Sequence, residues 1–224
     1  MTFANPHAAM DSGASSLPGI AMKLYFAPMT CSLSPHIVLR ELELPFELIR
    51  VNNQSKCTAD GRDFRTINRK GYVAALELDN GEVLTEGPAI LQYLADQVPG
   101  NTLAPAQGTW ERVRLQEHLN FISSEIHGGS APLFNADLPD TVKTMFKQKL
   151  CKRLDFLCHQ LADQQYLMVT FGVADAYLFT VLGWLPTFDI DIGDWPVLAA
   201  YLRRIAARRS VVSAMAAEAA TAPV

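Results

Sequence analysis

The sequence predicts an α/β domain followed by an all-helical domain. Three observations carry this expectation. Two short apolar runs flank a helical stripe between Lys23 and Val51. Two further runs bracket Asp79-Asn80-Gly81. Beyond Thr109, apolar residues recur three and four positions apart, and no alternating pattern returns. The chain has 224 residues, 19% of them charged and 49% apolar, enough to bury a substantial core.

Taken in order, Leu24-Tyr25-Phe26 reads as a buried strand. Pro28 turns the chain, Ser34 suits a helix N-cap and Pro35 the first helical position, and Ile37, Val38 and Leu42 form a stripe ending near Leu44. Phe46 to Val51 is a second strand, so a helix joins two strands and a right-handed parallel crossover follows. Asp60 to Ile67 is read as a short helix. Ala75–Leu78 and Glu82–Thr85 flank a turn in which Asn-Gly accepts positive φ, a hairpin signal. Gly87-Pro88 opens another helix with Ile90, Leu91 and Leu94. The order β-α-β, then α-β-β-α, fits a thioredoxin-like fold within residues 22–100.

Pro99 to Thr109 lacks an apolar stripe and reads as a linker, leaving residues 107–224 as the helical domain. Leu115, Leu119, Ile122 and Ile126 lie on one helix face. Helices are expected over Thr141–Leu161, Val173–Trp184 and Pro196–Arg209. The second of these is apolar on nearly all sides and belongs at the domain's centre. Residues 1–21, rich in Ala, Ser, Gly and Pro, read as a mobile extension. No apolar run reaches the ~18–20 residues of a membrane helix. A net charge of −4 gives no indication of a nucleic-acid or polybasic membrane surface. Cys31, Cys57, Cys151 and Cys158 have no metal-ligand spacing, and so few cysteines suit a reducing compartment, the cytoplasm.

Two places invite chemistry. Cys31, in the string Cys31-Ser32-Leu33-Ser34, lies just before a helix start, where backbone N–H groups and the helix dipole favour a thiolate; it is expected to be the most reactive thiol. Having no resolving partner, it suits a mixed disulfide with a small thiol. Glu86-Gly87-Pro88 sets a carboxylate beside free N–H groups at a helix start, matching a ligand ammonium and carboxylate. A capped helix explains the same residues equally well. His127 ends a polar line through Gln116, Asn120 and Ser123; a solvent-facing histidine is its ordinary reading. His36, His118 and His159 read as structural, and Arg203, Arg204, Arg208 and Arg209 as a solvated helix face.

Several strings together resemble the bacterial glutathione S-transferases of the beta class, over Met22 to about Ala217. They are Met22-Lys23-Leu24-Tyr25-Phe26-Ala27-Pro28 leading to Cys31-Ser32-Leu33, Leu84-Thr85-Glu86-Gly87, Gln92-Tyr93-Leu94-Ala95-Asp96, and the run Ala174 to Leu182. The resemblance implies a homodimer that uses glutathione as co-substrate, without metal or prosthetic group, and conjugates its thiol to a small hydrophobic electrophile. It implies that Cys31 contacts the glutathione sulfur, that His127 reaches it from the helical domain, and that Lys56, Val73, Glu86 and Gly87 contact the tripeptide. Two alternatives are thiol–disulfide exchange through Cys31 and a non-catalytic binding or stress protein with a degraded site.

Some residues depart from that family's pattern. Ala74 stands where the family places a cis-proline, and because a non-proline cis bond costs ~3–4 kcal/mol, a relaxed trans loop with weak glutathione binding is expected. Phe26 replaces a frequent tyrosine, Gly128 a frequent basic residue, and Gly172 the Ser or Thr that caps the central helix with Asp175. The missing cap is expected to cost only a few tenths of a kcal/mol.

Overall fold

The computed structural model describes residues 22–221; the expected N-terminal extension lies outside them. Four strands form a mixed sheet in the order β2-β1-β3-β4. β1 (Met22–Phe26) pairs in parallel with β2 (Phe46–Arg50) across the helix α1 (Leu33–Glu41), as the crossover requires. β3 (Ala75–Glu77) runs antiparallel to β1, and β4 (Val83–Thr85) closes the hairpin on β3, with Gly81 at φ 82° in the turn. α2 (Gly87–Asp96) follows directly.

Alternation along the strands gives the sheet two different faces. Met22, Leu24 and Leu76 pack with Ile37, Ile90 and Leu91 of α1 and α2, and this core runs on into the helical half. Tyr25, Ile49, Val73 and Ala75 pack with Phe64 on the opposite face, under the long connection from β2 to β3. That connection holds a single 3-10 turn at Phe64–Thr66 where a helix from Asp60 was expected. Bridges Val51–Thr58 and Cys57–Asp63 and the ion pair Asp60–Arg62 hold its first part extended, against helical geometry.

The helical half comprises α3 (Trp110–Phe121), a π-helical turn (Ile122–His127), the single turn α4 (Gly128–Ser130), α5 (Asp140–Gln160), α6 (Val173–Leu182), α7 (Pro196–Ala206) and α8 (Arg209–Ala220). α6 is buried almost throughout, as its all-round apolar sequence predicts. The helix expected from Pro196 to Arg209 ends at Ala206, and a further helix that the sequence reading did not mark, α8, follows it. α8 leaves the helical half and packs on α1. There His36 Nδ1 meets Glu218 Oε1 at 3.0 Å, both residues buried, and Glu41 receives Arg208 and Ser210. Arg208 is therefore not part of a solvated face. Its guanidinium also lies 3.9 Å from the ring centroid of Phe171.

The start of α6 explains the glycine at position 172. Only half a capping box is present: the Asp175 carboxylate accepts from the Gly172 N–H at 2.9 Å, and no side chain reciprocates. The Leu103 carbonyl satisfies a different free N–H of the helix start, that of Val173, at 2.9 Å. A Cβ at position 172 would lie 2.7 Å from the same oxygen. Restoring a cap by Gly172→Thr is thus expected to destabilise the protein by about 1–3 kcal/mol, against the usual capping rule. Urea unfolding of the two proteins measures this, and any gain in stability would refute the steric account.

Candidate active site

A cleft of about 710 Å³ opens between the sheet half and the helical half. All six residues singled out from the sequence line it: Cys31, Lys56, Val73, Glu86, Gly87 and His127.

Cys31 lies on the loop between β1 and α1. The helix begins at Leu33 with Ser32 at the N-cap, two residues earlier than Ser34-Pro35 suggested. Ser34 Oγ instead donates to the Cys31 carbonyl at 2.8 Å, and Ser32 Oγ is held by Ala27 and Thr30. The thiol donates to the Val73 carbonyl at 3.3 Å. The expected activation to thiolate is not found. Burial pushes the Cys31 thiol up to about 11, and the backbone N–H groups of Ala74 and Cys31 only partly oppose it. In the free protein at pH 7, iodoacetamide is expected to label the exposed Cys57 ahead of Cys31, whose labelling climbs only as the pH approaches about 11. Peptide mapping after a short pulse reads the order; equal labelling at neutral pH would contradict it.

Val73 leads into β3 through a cis peptide bond to Ala74, not the trans bond expected from the alanine. The segment is held from both sides: Cys31 bonds to the Val73 carbonyl, and Ala75 pairs with Tyr25 on one side and Thr85 on the other.

Glu86 is the N-cap of α2 with φ 71°, and its side chain makes no capping bond. The carboxylate is exposed and accepts from Lys70 Nζ at 2.6 Å; the same ammonium donates to Thr85 Oγ1 at 2.9 Å. The sequence reading did not single out Lys70. Sixteen residues separate it from Glu86, and only the hairpin between them brings the pair together. Lys56, at φ 60°, places its ammonium 5.7 Å from the Tyr72 ring centroid, on the same side of the cleft.

His127 comes from the other side. The π-helical turn ends where the Gly128 N–H reaches the Ser123 carbonyl, and a Cβ at 128 would stand 3.1 Å from that oxygen. Gly128 therefore accommodates the wide turn that delivers His127 to the cleft. The ring packs edge-on to Trp184 and Tyr177, and Nδ1 lies 2.7 Å from the Tyr177 hydroxyl. Burial lowers the His127 pKa, so the ring is neutral at neutral pH. Phe134, packed on Trp184 and Phe188 and half exposed, gives the cleft an apolar wall. These aromatic partners lie far apart in sequence, and no local signal marks them.

The cleft joins a thioredoxin-like sheet to a helical bundle. Residues 28–97 match the family model for the glutathione S-transferase N-terminal domain, and residues 121–209 match that for the C-terminal domain. The chain belongs to the glutathione S-transferase family. Among relatives of this transferase chain, glutathione S-transferase GstA of Escherichia coli O157:H7 is 40% identical over 198 residues, 88% of this chain and 98% of the relative. The structure of a ternary complex of BphK, a bacterial glutathione S-transferase, superposes with a TM-score of 0.86 at 52% identity, covering 88% of this chain and 99% of BphK. A sphingomonad glutathione S-transferase complexed with glutathione gives 0.86 at 43% identity, covering 89% and 100%. Among the described residues of this family member, no helix is long and apolar enough to cross a membrane, and no group of His, Cys, Asp and Glu could hold a metal ion.

Proposed function

We propose that the protein conjugates the thiol of glutathione to small hydrophobic electrophiles in this cleft. The observation that carries the reading is the meeting, in one cavity, of Cys31 and Glu86 from the sheet half with His127 and an aromatic wall from the helical half. The γ-glutamyl ammonium pairs with Glu86 and its carboxylate with the N–H groups opening α2. Lys56 offers a cation to the carboxylate at the glycyl end, and the Val73 backbone meets the cysteinyl amide. The sulfur then lies near Cys31 and His127, with the electrophile against Phe134 and Trp184.

Exchange through a mixed disulfide at Cys31 is the weaker reading, because burial keeps that thiol protonated at neutral pH. Calorimetric titration with glutathione, followed by a conjugation assay with an aryl halide, tests the proposal. Saturable binding and turnover are the expected results, and absence of both would end it. We further propose residues 22–100 and 107–224 as the two domains, a cytoplasmic setting in keeping with the free cysteines, and a symmetric homodimer. Sedimentation at twice 24.7 kDa is the dimer's signature.

A further inference from the structure

The hydroxyl of Tyr177, on the buried α6, touches His127 within the wall of the cleft. We propose that Tyr177 is a positioning residue: it donates to His127 Nδ1, so that the ring proton resides on Nε2 and the histidine serves the cleft as a hydrogen-bond donor. The only part of this proposal that rests on the glutathione reading is the identity of the acceptor, a bound thiolate.

The hydrogen-bond inventory leads to this arrangement. Tyr177 is 2% exposed, so its hydroxyl has no bulk water to turn to. The Ser123 hydroxyl neighbours the same oxygen and, being both donor and acceptor, suits donation to it. Burial nevertheless keeps the phenol protonated well above neutral pH. The phenolic proton therefore needs an acceptor, and Nδ1 stands 2.7 Å away. That separation suits O–H donation. The opposite tautomer would aim an N–H at the phenolic oxygen and leave the phenolic proton only the Ser123 hydroxyl to turn to. No described residue hydrogen-bonds Nε2, and His127 borders the cavity.

The consequence concerns proton traffic. With Nδ1 engaged and Nε2 protonated, neutral His127 has no lone pair free to take a proton from the bound thiol. That proton leaves to water, and the Nε2–H stabilises the sulfur anion that remains.

Two measurements test the proposal. Long-range proton–nitrogen NMR on histidine-labelled wild-type protein at neutral pH reads the tautomer directly and needs no variant. The Nε2–H form is expected, and an Nδ1–H signature at His127 overturns the proposal. The second is the ultraviolet absorbance of bound glutathione thiolate in wild type and Tyr177→Phe, which keeps the ring and removes one oxygen. Mixing of the two tautomers and about a tenfold loss of bound thiolate at neutral pH are expected. A Tyr177→Phe protein with an unchanged tautomer and an unchanged thiolate fraction overturns the positioning role. Failure of wild type to bind glutathione would sink the proposed conjugation instead, and the tautomer result would stand independently of it.

Discussion

Asp175→Ala is expected to destabilise the protein by about 3–5 kcal/mol, a large share of what a domain of this kind has to lose. Asp175 is buried in α6, and both its oxygens are used. Oδ1 accepts from the Leu167 N–H and the Tyr201 hydroxyl at 2.9 Å each, and Oδ2 from the Gly172 N–H at 2.9 Å. Alanine leaves the Leu167 and Gly172 N–H groups buried without an acceptor, leaves the Tyr201 hydroxyl only the backbone carbonyl of residue 175 at 3.5 Å, and opens a small void beside them. The pH dependence has a definite sign. Burial raises the Asp175 pKa to about 6, against the pull of its backbone donors and of Tyr201. Its contribution is therefore full below the unfolded value near pH 4 and declines as the pH rises through about 6. The stability gap between wild type and variant should be widest near pH 4 and level off above pH 6. Urea unfolding across that range measures it, and a gap that widened with pH would show that the carboxylate form is favoured.

Glu86→Gln is expected to weaken glutathione binding about a hundredfold, because it removes a charge-assisted contact and leaves two cations facing each other. In the free protein Lys70 occupies Glu86 at 2.6 Å. An incoming α-ammonium can share that carboxylate, and the amide that replaces it offers neither cation a counter-charge. Calorimetry with glutathione and with an analogue lacking the α-amino group separates the two effects. The variant should bind the analogue nearly as well as wild type does, and an equal loss with both ligands would place Glu86 elsewhere in recognition.

Much of the architecture is legible in the chain because it is local. Apolar runs mark β1 and β2, the Asp79-Asn80-Gly81 turn marks the hairpin, and the all-round apolar run marks α6. The six cleft residues are legible for a different reason: they were carried over from a family resemblance as much as from chemistry. What stayed hidden depends on contacts across the fold. The helix-start rule for Cys31 is overridden here because desolvation outweighs the lowering by the backbone N–H groups of Ala74 and Cys31. Gly172 reads as a missing cap until the Leu103 carbonyl, far back in the chain, is seen in the space a side chain would need. α8 is rich in alanine with no strong apolar stripe, so its separation from α7 and its seat on α1 escape a periodicity reading. Tyr177 lies 50 residues from His127, and Lys70 faces Glu86 only through the hairpin.

The seat of α8 on α1 also bears on how the chain is made. α1 lies near the start of the described chain and α8 at its end, and the buried His36–Glu218 pair sits between them. Domains generally fold in the order of their synthesis. Here the sheet half is translated first, yet the side of α1 that α8 covers, His36 included, stays wet until residues 209–220 have been made. Order of translation and order of completion therefore run in opposite directions, and a nascent chain stalled after α7 holds a thioredoxin-like unit with one side still open.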